Sequence, residues 1–66
     1  MRLMTVREAA TMLDCSEAYV RDACDRGLLG ESFGNGRERK AYKVFPALLA
    51  QMLGISVTEL EGKVNR

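Results

Sequence analysis

The sequence predicts a mainly helical domain with one small β-hairpin, built from about four short helices. Three observations predict it. Hydroxyl residues open segments whose apolar side chains recur at helical spacing, glycines close those segments, and one stretch between them alternates in steps of two. With 66 residues the chain is read as one domain over residues 1–66, because so short a chain buries only about 60% of its unfolded surface.

Thr5 and Glu8 have the spacing of a capping box, in which the hydroxyl accepts from the Glu8 amide and the carboxylate reaches back to the Thr5 amide. Val6, Ala9, Ala10 and Leu13 then line one face of the first helix. Ser16 caps a second helix running to about Arg26, with Val20, Ala23 and Cys24 inward and Gly27 as its left-handed end. Beyond Gly30 the period changes. Tyr42 and Val44 alternate with Ala41 and Lys43, and Gly34, Asn35 and Gly36 tolerate the backbone of a tight turn, so residues 31–44 read as a hairpin with Phe33 on the partner strand. Pro46 suits the first position of a third helix with an apolar stripe of Leu48, Leu49, Met52 and Leu53, which Gly54 stops. Ser56 and Glu59 repeat the capping-box spacing and open a fourth helix through about Lys63, with Val57, Leu60 and Val64 as its apolar positions. Ala10, Met12, Leu13, Ser16 and Val20 match Ala50, Met52, Leu53, Ser56 and Leu60 at a constant offset of forty, which is read as shared packing logic; two copies do not make a solenoid.

Composition excludes several classes. No apolar stretch approaches the roughly 18 residues that span a membrane, and Met1 to Val6 do not resemble a secretory signal, so a cytoplasmic location is expected. Cys15 and Cys24 stand nine apart with no His in the chain, which fits no metal-ligand spacing, and both are read as small buried side chains; no cofactor, metal or small-molecule ligand is expected. Met4, Met12, Met52 and the leucines read as core filling. An enzyme is not expected either, for want of a His, a phosphate-cradling loop or a paired nucleophile and base. Net charge is only +1, but it is unevenly spread: Met1 to Gly30 holds four basic and five acidic residues, whereas Gly36 to Lys43 holds Arg37, Arg39, Lys40 and Lys43 against Glu38 alone.

Two short helices joined by a tight turn form the unit that docks its second helix in the DNA major groove. The run TVREAATMLDCSEAYVRDACDRGLL resembles the helix-turn-helix of the MerR-like superfamily, and in size it is most similar to the excisionases, the recombination directionality factors of phages and mobile elements. Thr5, Glu8 and Ala10, then Ser16, Val20 and Arg21, then Gly27, Leu28 and Leu29 carry the likeness, and Gly36, Arg37 and Tyr42 follow at the family's wing position, so that it covers Met4 to about Leu53. Two departures stand out. Asp14 occupies a turn position where the family usually has Gly, and Phe45 precedes Pro46 where it usually has a polar cap. The extensions that sense ligands in MerR regulators are missing from this sequence.

The resemblance implies a winged helix-turn-helix over residues 5–29 and 31–44, with C-terminal helices in 46–64. It implies double-stranded DNA as partner, with self-association along DNA or an integrase as further partners, and the role of an architectural excisionase. Ser16, Glu17, Ala18, Tyr19, Arg21 and Asp22 would lie on the reading portion of the second helix, although Tyr19 is equally compatible with the core. Arg21 suits a guanine or a phosphate, while Glu17 and Asp22 repel phosphate and suit a cytosine amino group. Asn35, Gly36, Arg37, Arg39, Lys40 and Lys43 form the expected wing contact, and Arg7 is a candidate phosphate contact. Competing roles are a small transcription regulator, a phage DNA-packaging subunit, and, from another class, a protein-interaction module without DNA affinity that uses Val57 to Val64.

Overall fold

A computed structural model of the chain describes residues 2–34 and 40–64. The order is α1 (Val6–Leu13), α2 (Glu17–Asp25), β1 (Gly30–Phe33), β2 (Ala41–Val44), α3 (Pro46–Leu53) and α4 (Val57–Val64). This is the mainly helical domain with an antiparallel hairpin that the patterning predicts, and no described helix is long and apolar enough to cross a membrane.

Local chemistry sets the helix ends. Thr5 and Glu8 form the complete capping box, with the Glu8 amide donating to the Thr5 hydroxyl at 3.1 Å and the Thr5 amide to the Glu8 carboxylate at 3.0 Å. Ser16 accepts from the Tyr19 amide at 3.1 Å, and Ser56 from the Glu59 amide at 3.1 Å. The serine side of the expected box at α4 is thereby formed. Phe45 precedes Pro46 with no side-chain cap, and its amide donates to the Leu29 carbonyl at 2.9 Å.

Three helices close in the same way. Asp14, Gly27 and Gly54 all adopt the left-handed conformation, at φ 54°, 73° and 72°. Behind each, the next amide reaches back five residues in the closing pattern of a Schellman motif: Cys15 to the Ala10 carbonyl, Leu28 to Ala23, and Ile55 to Ala50. Asp14 thus holds the conformation for which glycine is the usual residue, as the turn reading requires.

The forty-residue offset extends from sequence to architecture. α1 and α3 share it, as do Asp14 and Gly54, the Ser16 and Ser56 caps, and the starts of α2 and α4. Ala9 and Leu49, Ala10 and Ala50, and Val20 and Leu60 are buried at matching places. Between the two helix pairs lies the hairpin, in the register Gly30↔Val44, Glu31↔Lys43, Ser32↔Tyr42 and Phe33↔Ala41. It begins one residue earlier than the sequence pattern indicates, because Gly30 pairs with Val44.

Met4, Ala9, Ala10, Val20, Ala23, Cys24, Leu29, Val44, Leu49, Ala50 and Leu60 form the buried core, which Tyr42, Leu13, Leu53 and Val64 border. Several inward assignments are corrected. In α3, Ala50 is buried and Met52 is exposed, because the stripe that meets the core is centred on Leu49 and Ala50. Val57 lies outward at the first turn of α4, Leu28 is exposed while Leu29 is buried, and Cys15, at the α1–α2 turn, is only half-buried. Met4 is more than core filling: its amide and carbonyl bond Val44 at 3.1 and 3.3 Å, adding a third short strand-like contact to the hairpin.

Candidate functional site

α2 packs against α1 and both hairpin strands, and this docking decides which side of it faces out. Val20, Ala23 and Cys24 are buried, so Glu17, Ala18, Tyr19, Arg21 and Asp22 fall on the exposed side, with the Ser16 cap at its head. Tyr19 is 53% exposed, which removes it from the core. Glu17, in the first turn, also complements the helix dipole.

The charges on this face differ in how they are engaged. Asp22 pairs with Arg26 one turn on, at 3.1 Å, which tempers its repulsion of an approaching anion. Arg21 has no ion-pair partner among the described residues. Its guanidinium is the one on the outward face of α2 left open to an external acceptor, and its five donors in a planar fork suit either a base edge or a phosphate.

The last residue of α2 ties the helix to the hairpin. Asp25 accepts from Lys40 Nζ at 3.3 Å, and the Ser32 hydroxyl, then Lys40, hold its carboxyl below the usual carboxylate range. Cys24 adds a weak contact to the Lys43 carbonyl at 4.0 Å, and burial, with Asp25 nearby, raises its thiol above the ordinary value. Within the hairpin, Gly30, Ser32, Tyr42 and Val44 share the inward face, leaving Glu31, Phe33, Ala41 and Lys43 outward. Lys43 lies over the Phe33 ring at 4.9 Å and opposite Glu31. Both described lysines of the basic stretch are exposed and lightly held by interactions that an external anion can displace. Asn35, Gly36, Arg37 and Arg39 lie outside the described residues.

Arg7 is placed apart from this set, on the rim of an open groove between α1 and α4 whose other cation is Lys63. Met4, Met12 and Val64 form its floor, and Glu8 stands at the edge. Glu8 is already engaged: Arg2 grips it with two bonds of 3.0 and 2.7 Å, and Arg2, with the Thr5 amide, holds its carboxyl down at about 2.

Sequence reasoning missed Asp25, Ser32, Phe33 and Lys63 as parts of a working surface. The signal for Phe33 was present in the strand alternation, since fixing Val44 inward places Lys43 and Phe33 on one outward face, whereas Asp25 is brought to Ser32 and Lys40 only by the packing of α2 on the hairpin. Lys63 had no such signal, because its neighbour Arg7 is brought to it only by tertiary packing. Among the described residues no group of three or more Cys, Asp and Glu is placed to hold a metal ion.

The fold and this surface define a small helical domain that presents one bare helix face beside a cationic hairpin. The chain matches no family model, no curated protein and no solved structure.

Proposed function

We propose that the chain is a sequence-specific double-stranded DNA-binding protein of the winged helix-turn-helix kind, acting in the cytoplasm. α2 enters the major groove, and the hairpin follows the adjacent backbone or minor groove. The observation that carries this reading is the docking of α2: its apolar side is spent on α1 and the hairpin, and its first two turns are left polar and exposed around an uncommitted Arg21. Arg21 and the other outward residues of α2 supply selectivity. Affinity comes from Arg37, Arg39, Lys40 and Lys43, because the outward acids of α2 limit its own hold on phosphate.

The excisionase role rests on the resemblance of Met4 to about Leu53 to that family. In that role copies associate along adjacent sites and bend the duplex for an integrase. A transcription regulator and a packaging subunit would use the same surface, and footprints separate them: direct repeats favour an architectural factor, a single palindrome a dimeric regulator.

Selection of bound duplexes from a random pool, followed by fluorescence anisotropy on the winner, tests the reading. Neutralising about four phosphates gives a slope of log affinity on log salt near −3.5. Replacing Arg37, Arg39 and Lys40 together by Ala should weaken every duplex and flatten that slope, whereas Arg21→Ala should cost about 1 to 3 kcal/mol on the selected sequence and less on others. Unchanged duplex retention in the triple variant refutes DNA binding.

A further inference from the structure

In the groove between α1 and α4, two cations without an acid partner among the described residues flank an apolar floor. Its volume is about 320 Å³, enough to take one or two large apolar side chains. It continues past Thr11 and Met12 to Leu53 and Ile55, which lengthens the apolar track between the two helix pairs. The rim is cationic. Arg7 and Lys63 contribute two charges, and the bidentate Arg2 contact neutralises Glu8, the acid at the edge.

We propose that this groove is a docking site for an acidic amphipathic peptide segment of a partner protein, with apolar side chains against Met4, Met12 and Val64 and carboxylates on Arg7 and Lys63. Charge complementarity selects an acidic partner, and the apolar floor separates it from DNA: a phosphate backbone would engage the two cations but has nothing to cover Met12 and Val64. The unbranched methionines allow the floor to adapt to different apolar anchors. This assignment takes Arg7 away from the DNA surface and gives α4 a purpose that its acidic first turn cannot serve on DNA. It does not depend on the DNA reading.

The test uses the full chain, isotope-labelled for amide chemical shifts, and a short peptide of Glu-Glu-Leu-Leu repeats, with the Lys-Lys-Leu-Leu counterpart as charge control. Saturable shifts are expected at Thr11, Met12 and Val64 with the acidic peptide only. Lys63→Glu together with Arg7→Glu should weaken binding by at least about tenfold, and the neutral pair Arg7→Gln with Lys63→Gln by less. Both side chains are exposed, and matching thermal midpoints verify that the variants fold. The proposal is overturned if both peptides bind alike, if shifts fall instead around Leu28 and Met52, if no shifts appear, or if the charge reversals leave peptide binding unchanged. It is also overturned if Lys63→Glu alone weakens duplex retention as much as it weakens the peptide, since the groove would then belong to DNA. Peptide binding is read without DNA, so loss of duplex retention in the hairpin variants refutes or supports the DNA reading separately.

Discussion

Gly30→Ala is expected to be strongly destabilising for the addition of a single methyl group. A Cβ at Gly30 would overlap the carbonyl oxygen of Lys43 and lie 2.8 Å from its carbonyl carbon and 3.0 Å from Val44 Cα. All three are backbone atoms of β2, so no side-chain rotation relieves the clash. β2 must move away from β1 at the point where Val44 bonds Met4 and the Phe45 amide bonds Leu29. Overpacking a core costs about 1 to 3 kcal/mol where side chains can yield, and a backbone clash belongs at or above the top of that range, about 3 kcal/mol. A domain of this size has about 3 to 10 kcal/mol in total. The midpoint should therefore fall by roughly 12 to 24 °C, read by circular dichroism on heating and confirmed by urea titration. Gly62→Ala is the control of opposite sign. Gly62 lies inside α4 with nothing within 4 Å of its would-be Cβ, so alanine should add about 0.5 to 1 kcal/mol. If Gly30→Ala melts within about 1 kcal/mol of the parent, the close approach of β1 to β2 is wrong.

Other perturbations test the packing and the caps. Ala10→Asp places a carboxylate at a site only 6% exposed between α1 and α2 and should abolish the folded far-ultraviolet dichroism; a native spectrum would refute the packing. Asp14→Gly should raise the urea midpoint by an amount equivalent to about 0.5 to 1 kcal/mol, since φ 54° strains any side chain, and Asp14→Val should lower it. Glu8 is depressed to about 2 in the fold from an ordinary 4.5, so its contribution is complete above about pH 4.5 and is lost as pH falls through about 2. Because the Arg2–Glu8 pair is at the surface, that loss should be only about 1 kcal/mol, and Glu8→Gln should flatten stability across this acid range.

What was legible in the sequence is what short-range chemistry decides. Thr5 with Glu8, Ser16, Gly27 and Gly54 each act within one turn of backbone, and each terminates the helix it was expected to terminate. The inward face of α2 was equally plain, because Val20, Ala23 and Cys24 leave only one side on which an apolar stripe can lie. α3 was harder: it is apolar almost all round, so spacing alone could not choose between Met52 and Ala50. Of the candidate site, the exposed face of α2 followed from its buried face, whereas the bond between Asp25 and Lys40 and the placing of Arg7 and Lys63 on one groove involve residues fifteen and fifty-six apart in the sequence. No local period encodes such distances.

Val44 is where the chain's distant parts meet: its backbone bonds Met4 on one side, it pairs with Gly30 on the other, and its side chain is fully buried. Each helix pair can form from neighbouring residues, but this junction requires a return across forty positions, whose closure entropy must be met before the contact gives anything back. The hairpin and Met4 are therefore expected to lock late in folding, onto helices already made. In hydrogen exchange the Val44 amide, which donates to the Met4 carbonyl, becomes a reporter of the moment Met4 leaves the hairpin.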